Sequence, residues 1–274
     1  MEWTTLTSLG VRGGVTAFSQ RYLIKKYWKK LLAKMDVGAT DIVVVGHAGA
    51  GKSVLVSQMH GQARDWYYEQ PGESLNVEVE AVTIGDWSKL IRVLPGQSAR
   101  RTLGEVRVFG DKNLEGVIYV VDFGYVVPRD TVQVQKLLDE GIDTIDDLRA
   151  YNMRAEVHGL VGLLASLRQM HEKFRTPKWV VIAVNKVDLY KSDKAEALRF
   201  YHPDGGKEFG NILKEFQSHV GVSSLGVYVV PCCANVRKIE WNGVVQKSGL
   251  EENEQFDILK NFVMTIAKIS EKHS

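Results

Sequence analysis

Residues 46–53 read Gly-His-Ala-Gly-Ala-Gly-Lys-Ser and directly follow the apolar run Ile42–Val45. They satisfy the spacing G-x-x-x-x-G-K-[ST], in which glycines let successive backbone N–H groups point at phosphate oxygens. The lysine of this pattern reaches the β and γ phosphates, and the serine offers a hydroxyl to Mg²⁺. The segment therefore predicts a phosphate cradle between a strand and a helix. The residues expected to line it are Gly46, His47, Ala48, Gly49, Ala50, Gly51, Lys52, Ser53 and Val54. Of these, His47 is expected to be exposed.

The order of apolar runs along the chain predicts the fold class. Strands are predicted at 42–45, 76–84, 89–94, 117–121, 179–184 and 227–230, and helices at 51–62, 146–173, 207–219 and 253–271. Alternating strands and helices favour a mostly parallel sheet with helices on both faces. The second and third runs are joined too tightly for a crossover, so they predict an antiparallel hairpin. We expect an α/β fold of the P-loop NTPase type, with a six-stranded sheet and one antiparallel edge strand.

The 274 residues are expected to form one domain, residues 37–274, behind a basic extension, residues 1–36. Two segments look like insertions into that domain. Residues 124–148 exceed a simple connection, and residues 237–247 predict a small hairpin that turns at Asn242-Gly243. The two cysteines are adjacent in sequence, and no apolar run is long enough to span a membrane, so we expect a cytoplasmic protein.

The extension carries the basic character of the chain. Residues 1–36 hold seven basic and two acidic side chains, a net charge of +5, whereas the whole chain has +2. Residues 18–35 place Ile24, Trp28 and Leu31 on one helical stripe flanked by lysines. Such a helix fits a membrane surface or an acidic partner, and it equally fits a helix docked on the domain with its lysines in water. No nucleic-acid-binding motif accompanies the lysines, so nucleic acid is not expected as a partner.

The identity of the base is predicted by Asn185-Lys186-Val187-Asp188, at the end of the strand predicted over 179–184. A carboxylate at Asp188 can accept the N1–H and amino protons of guanine, a donor pair that adenine lacks. The aliphatic stem of Lys186 can cover the face of the ring. Guanine is therefore favoured over adenine, and an ATPase of P-loop type is the less favoured reading.

With these motifs, residues 37–271 resemble a Ras-superfamily small GTPase, and they are most similar to the MglA-type bacterial branch, which is itself like Arf and Rab proteins. The likeness to that branch rests on Val93-Leu94-Pro95-Gly96-Gln97 and on Leu114–Asp122. The resemblance implies that Gly96 donates its N–H to the γ phosphate and that Gln97 orients the attacking water. It also implies that Cys233-Ala234-Asn235 matches the S-A-K loop, whose backbone N–H meets the guanine oxygen.

The chain departs from the family at two positions. Val93 stands where relatives have an aspartate that holds Mg²⁺ through water, so the ion would depend on Ser53, the phosphates, waters and a switch hydroxyl, for which Ser74 is the candidate. Ala48 stands where Ras has glycine, and its methyl would hinder an arginine finger from a partner. Arg100 and Arg101 either supply such an arginine in cis or are solvated charges.

These patterns predict a GTP-binding molecular switch that slowly hydrolyses GTP to GDP and phosphate. Lys52 and Gln97 are the expected catalytic residues, Mg²⁺ is the expected ion, and an effector or a GTPase-activating protein is the expected partner. The alternative is a guanine-nucleotide-binding scaffold that does not hydrolyse. Val93 and Ala48 favour the scaffold, and Gln97 favours hydrolysis.

Overall fold

The protein was analysed as a computed structural model, which describes residues 41–59, 78–84, 87–95, 114–172, 176–221 and 224–273. The predicted extension, residues 1–36, lies outside these ranges. The strands are β1 (Ile42–Val45), β2 (Glu78–Ile84), β3 (Trp87–Val93), β4 (Gly116–Val121), β5 (Trp179–Val184), β6 (Gly226–Pro231), β7 (Ile239–Trp241) and β8 (Val244–Gln246). The helices are α1 (Lys52–Met59), α2 (Thr131–Asp139), α3 (Ile145–Glu172), α4 (Lys194–Tyr201), α5 (Glu208–Val220) and α6 (Glu252–Lys272).

The predicted fold class is confirmed by a six-stranded sheet in the order β2-β3-β1-β4-β5-β6. All neighbouring pairs are parallel except β2 and β3, which form the predicted antiparallel hairpin at one edge. The first strand of the hairpin starts two residues later than predicted, at Glu78, and its second strand starts two residues earlier than predicted, at Trp87. The connection is therefore two residues long, a length typical of tight hairpins.

The sheet is buried on both faces because its strands are apolar on both sides. In β1, Val43 and Val45 belong to the core beneath α3, α4 and α5, whereas Ile42 and Val44 belong to the core beneath α1 and α6. β5 alternates in the same way, and every residue of β1, β4 and β5 is buried. Continuous apolar runs of this kind are typical of parallel strands covered by helices, as the sequence predicted.

The parallel strands bring five separate chain segments to one edge of the sheet. β1, β3, β4, β5 and β6 all run in the same direction, so their carboxyl ends lie side by side. The segments that follow β1, β4, β5 and β6 include the predicted cradle, Asp122–Val127, Asn185–Asp188 and Cys232–Asn235. In open α/β sheets this edge is where ligands bind.

The two predicted insertions pack against each other. Trp241 of β7 is buried with Leu137 and Leu148, and its indole N–H donates to the carbonyl oxygen of Ile142 at 3.0 Å. The hairpin turns at Asn242-Gly243 as predicted, with Asn242 at φ 49°. The helix α2 was not predicted, because it has only a short apolar stripe. The signal for it was Asp130, whose carboxylate caps the helix by accepting from Val132 N at 3.0 Å.

The helix α4 was also not predicted, and it is only eight residues long. The four predicted helices correspond to α1, α3, α5 and α6. Their predicted ends lie within two residues of the observed ends wherever the neighbouring residues are described. Among the described residues, no helix combines the length and the apolar character needed to cross a bilayer.

We expect Trp241→Ala to lower the free energy of unfolding by about 3 kcal/mol, because it removes a large buried side chain that joins the two insertions. Trp241→Phe keeps a ring but loses the donor to Ile142, so about 1 kcal/mol is expected. Urea denaturation followed by far-UV circular dichroism measures both. Val244→Ala is the matched control on the same hairpin, since Val244 is 54% exposed, and it should change stability by less than about 0.5 kcal/mol. Equal effects of Trp241→Ala and Val244→Ala would show that the insertions are not held together by this residue.

Candidate functional site

The predicted cradle forms a tight turn between β1 and α1. Gly49 and Gly51 have φ values of 82° and 90°, a region that favours glycine. A Cβ at Gly51 would lie 2.6 Å from Asn185 Nδ2, so a side chain there would displace that amide. Lys52 is 6% exposed, and its Nζ donates to the carbonyl oxygens of Gly46 at 3.1 Å and His47 at 2.9 Å. The lysine thus folds back over the loop and lies where it can exchange carbonyl oxygens for phosphate oxygens.

Asn185 joins the cradle to the loop after β6. Its Nδ2 donates to Ala50 O at 2.8 Å, and its Oδ1 accepts from Ala234 N at 3.0 Å. The side chain is 2% exposed, so both bonds are shielded from water. Because Ala50 and Ala234 belong to different strand connections, this single amide fixes the distance between the predicted phosphate-binding and base-binding loops.

Asp188, the residue predicted to bind the base, lies in the turn after β5 and is 2% exposed. Its Oδ1 accepts from Cys233 Sγ at 3.3 Å and its Oδ2 from Arg237 N at 3.0 Å. Burial raises the pKa of Asp188, although these donors act in the opposite direction. Cys233 is buried, as expected, and burial together with the Asp188 carboxylate raises the pKa of its thiol far above its usual range. The thiol therefore acts here as a hydrogen-bond donor to the carboxylate.

The predicted hairpin insertion and the chain just beyond it support the same turn. Gly249 N donates to Asp188 O at 2.7 Å, and Gln246 Nε2 donates to Leu189 O at 3.2 Å. Val187–Leu189 form a single 3-10 turn that is held from outside by these two bonds. The insertion and Gly249 therefore stiffen the turn that contains Asp188.

Lys186 adopts the left-handed conformation, with φ 61° and ψ 33°. Its Nζ donates to Asp122 Oδ2 and to Tyr125 O, both at 2.6 Å. A non-glycine residue in this region costs free energy, and such residues cluster at functional sites. The ammonium group is therefore committed to the loop after β4.

A cluster of charged side chains lies behind the cradle and consists of His47, Asp122 and Glu156. His47 Nε2 lies 3.6 Å from Asp122 Oδ1 and 3.7 Å from Glu156 Oε1, and both carboxylates have fully buried side chains. The three ligand-type atoms all lie within 4.8 Å of one another. The expectation that His47 is exposed is wrong, since its side chain is only 19% exposed and its Nε2 is buried. The ring turns inward because two buried carboxylates attract it.

Glu156 and Asp122 differ in how their charges are compensated. Glu156 Oε1 accepts from Asp122 N at 2.9 Å and Gly124 N at 3.4 Å, and its Oε2 accepts from Tyr201 Oη at 2.5 Å. Burial raises the pKa of Glu156. Burial would also raise the pKa of Asp122, but Lys186 and then His47 outweigh it and hold that pKa well below its usual range.

The structure brings together most of the predicted cradle and base-loop residues at one edge of the sheet. Ser53 and Val54 lie in the first turn of α1, Ala48 is exposed beside Gly49, and Ala234 and Asn235 follow β6. The predicted residues Gly96, Gln97, Ser74, Arg100 and Arg101 lie outside the described residues, as does the segment 18–35. Val93 is fully buried in the core, so no carboxylate stands at that position near the cradle.

Sequence reasoning missed Asp122 and Glu156 as site residues. Asp122 ends the strand run that the resemblance used, so its position after β4 was a usable signal. Glu156 lies inside a long helix and had no such signal, because its partners are 34 and 45 residues distant in sequence.

No protein-family model matches the chain, and no curated protein is detectably similar to it in sequence. Several solved structures can be superposed on it. The mammalian SRP receptor has 16% identity over 84% of this chain and 99% of the other, with a TM-score of 0.45. Toc33 from Arabidopsis thaliana in complex with GDP and Mg²⁺ has 16% identity over 93% and 92%, with a TM-score of 0.43. The Arl6 BBS3 small GTPase from Trypanosoma brucei has 14% identity over 83% and 98%, with a TM-score of 0.39. Identities and TM-scores this low do not establish the function, so we infer the function from the geometry of the site.

We expect Asn185→Ala to lower the free energy of unfolding by about 2–4 kcal/mol, because it leaves the buried Ala50 carbonyl and Ala234 N–H without their side-chain partner. Chemical denaturation of the nucleotide-free protein measures this effect. Asn211→Ala, at an exposed position of α5, is the control and should change stability by less than about 0.5 kcal/mol. A loss as small as that of the control would mean that the amide does not hold the two loops together.

Proposed function

We propose that the protein is a guanine-nucleotide-binding switch that slowly hydrolyses GTP to GDP and phosphate. The observation that carries the proposal is the Asn185 amide, which bonds the phosphate cradle on one side and the base loop on the other. A nucleotide has a phosphate end and a base end, and both have to be bound at once by separate loops. A rigid link between two loops with matching chemistry is what such a ligand requires.

The phosphate end is supported by the geometry of Gly46–Lys52. The left-handed glycines open the turn, and the amino end of α1 adds positive potential toward an anion. Lys52 rests on two carbonyl oxygens of the loop, and phosphate oxygens are stronger partners for an ammonium group because they carry charge. A triphosphate therefore draws the lysine from the loop onto the β and γ phosphates.

The base end is supported by the chemistry of Asp188 and Ala234. A carboxylate has about four lone-pair sites, and Cys233 and Arg237 use one on each oxygen. Guanine would donate its N1–H and amino protons to the remaining sites. Because Asp188 is 2% exposed, the base displaces the segment around Arg237 as it docks. Adenine offers no donor pair to this carboxylate, so it leaves a buried acceptor unsatisfied at a cost of about 1–3 kcal/mol or more.

Mg²⁺ fits the described residues only in part. Ser53, on the first turn of α1, is the side-chain oxygen that would hold it, and Mg²⁺ commonly takes its other ligands from phosphates and water. Val93 supplies no oxygen, and the proposed second ligand, Ser74, lies outside the described residues. When bound, the ion would neutralise charge on the phosphates. The short ligand set predicts loose binding of the metal.

Hydrolysis is proposed from the family resemblance around Gly96 and Gln97. In this scheme Gln97 aligns a water for attack on the γ phosphorus, and Lys52 with the cradle N–H groups stabilises the charge that develops on the phosphoryl oxygens. A non-hydrolysing scaffold remains the second candidate. It is favoured by the buried valine at position 93 and by Ala48 at the exposed tip of the cradle.

We further propose that the nucleotide state controls binding to an effector or a GTPase-activating protein. Segments ordered by the γ phosphate would differ between the two states. The basic residues 18–35 would meet an anionic membrane surface or pack on the domain, and the proposed location is the cytoplasm or the inner face of a membrane. No nucleic-acid partner is proposed.

The guanine assignment predicts the result of Asp188→Asn. The substitution replaces one acceptor oxygen by an NH₂ donor that faces the amino donors of guanine, so the affinity for GDP should fall by about 100-fold or more. Xanthosine diphosphate has a carbonyl in place of that amino group and should bind the variant better than GDP does. Isothermal titration calorimetry with both ligands measures the reversal. Asp193→Asn, an exposed position near the same turn, should leave GDP binding unchanged. An Asp188→Asn protein that still prefers GDP would contradict the assignment.

The hydrolysis assignment predicts that Gln97→Leu lowers the single-turnover rate by about tenfold or more while GTP binding is kept. The measurement is phosphate release from preloaded GTP in the presence of Mg²⁺. If the rate is unchanged, water positioning lies elsewhere. If the unmodified protein releases no phosphate, the scaffold function replaces the switch.

A further inference from the structure

The charged cluster behind the cradle has one charge that the proposed function does not explain. Asp122 and Glu156 are both fully buried, and two buried carboxylates need two positive partners. Lys186 supplies one, at 2.6 Å from Asp122 Oδ2. His47 is the other basic side chain within 4 Å of the two carboxylates in the described part of the chain.

The hydrogen-bond pattern favours a charged Glu156. Asp122 N and Gly124 N can only donate to it, and Tyr201 Oη donates to Oε2 while it accepts from Phe123 N at 3.0 Å. A protonated carboxyl group would need an acceptor for its own hydrogen, whereas an ionised one is satisfied by donors alone. The donors around Glu156 therefore favour its ionised form, in opposition to burial, which raises its pKa.

The surroundings of the His47 ring fit its doubly protonated form. Nδ1 lies 2.9 Å from the carbonyl oxygen of Ala48, which can only accept a hydrogen bond. Nε2 faces the carboxylate oxygens of Asp122 and Glu156, which are also acceptors. A neutral imidazole would direct a lone pair at one of these oxygens, so the imidazolium is the form that both sides of the ring favour.

We infer that His47 is a positioning residue, and that its imidazolium is the counter-charge that holds the phosphate cradle against the Asp122–Lys186 pair of the base-binding end. The inference rests on the proposed function and extends it to a residue that the cradle motif leaves variable. The backbone of His47 already belongs to the cradle, since its carbonyl oxygen accepts from Lys52 Nζ at 2.9 Å.

The consequence for the ligand is electrostatic. With His47 neutral, Asp122, Glu156 and Lys186 carry one uncompensated negative charge directly behind a loop that must receive phosphates. In a poorly solvated site such a charge repels an anion strongly. Protonated His47 removes that repulsion. Its Nδ1–H also donates to the carbonyl oxygen of Ala48, which holds the backbone of the cradle in place.

The groups around His47 also determine how the contribution of its imidazolium depends on pH. Burial alone would lower the pKa of His47, but Asp122 and Glu156 outweigh it and raise the pKa from 6.5 to about 9. Because the folded-state pKa is raised, the contribution of the imidazolium is complete below pH 6.5 and is lost as the pH rises through 9. The charged and titratable groups around it are Asp122 after β4, Glu156 of α3, Lys186 after β5, Lys52 of α1 and, through Glu156, Tyr201 of α4.

A metal ion is the competing occupant of this cluster, since one imidazole and two carboxylates form a donor set that suits Zn²⁺. The charges favour the proton. A divalent ion beside Lys186 would bring three positive charges to two carboxylates, whereas one imidazolium brings the balance to zero. The zinc content of the purified protein distinguishes the two occupants.

The first test uses the nucleotide-free protein, so it does not depend on nucleotide binding. The ring of His47 is followed by NMR between pH 6 and 10.5 in histidine-labelled protein, and its signal is assigned by its loss in His47→Gln. We expect it to titrate near pH 9. Titration of His47 near 6.5, or stoichiometric zinc that is present in the purified protein and absent from His47→Gln, would overturn the inference.

The second test compares GDP affinities of the unmodified protein and His47→Gln. At pH 7 the variant should bind about tenfold or more weakly, and the ratio should approach one by pH 10, when the unmodified protein has lost its proton. Ionisation of guanine affects both proteins equally and cancels in the ratio. His47→Lys should recover part of the affinity at pH 7, and His158→Gln, at an exposed position of α3, should change nothing.

A ratio that does not vary with pH would overturn the positioning role even if His47 titrates near 9. If neither protein binds GDP, the positioning role fails together with the proposed function, while the NMR titration still decides the charge of His47.

Discussion

The site depends on one buried amide. Asn185 lies at the carboxyl end of β5, and its side chain bonds Ala50 on one side and Ala234 on the other. Water cannot replace these bonds at 2% exposure, so the amide has a single satisfied arrangement. Its position between the cradle and the base loop is a direct result of the strand order, which places the ends of β1, β4, β5 and β6 side by side. The sheet supplies the scaffold, and this amide sets the spacing within it.

The second constraint is the balance of buried charge. Asp122 and Glu156 lie where solvent cannot screen them, so each must be held by donors and cations from other elements. The result connects β4, α3, α4, the cradle and the base turn through Glu156, Tyr201, Lys186 and His47. Such a network penalises any movement of one loop relative to the other. The network therefore holds these segments in one arrangement.

Much of this architecture could be predicted from the sequence, for local reasons. The glycine spacing of the cradle, the Asn-Gly turn of the small hairpin and the apolar runs of the strands each fix a local conformation. The charged cluster could not be predicted in this way. Glu156 occupies an ordinary helical position, and it becomes a site residue only because α3 packs beneath the end of β4. The direction of the His47 ring likewise depends on carboxylates that are distant in sequence.

The sequence predicts the hairpin insertion but not its contact with the turn that contains Asp188. Residues 237–247 were predicted as an added hairpin, and the fold shows that the chain just beyond it is bonded to the backbone of Asp188 through Gly249. Pairing between residues 61 positions apart depends on tertiary packing, which no local pattern encodes. The insertion thus belongs to the support of the base turn as well as to the surface.

The central claim is that these loops form a pocket for a guanine nucleotide. It is tested most directly by removing any bound nucleotide from the purified protein and measuring the dissociation constants of GDP and ADP under the same conditions with Mg²⁺. We expect GDP to bind about 100-fold or more tightly than ADP, because only guanine satisfies the carboxylate of Asp188. Equal affinity for the two, or measurable affinity for neither, would contradict it.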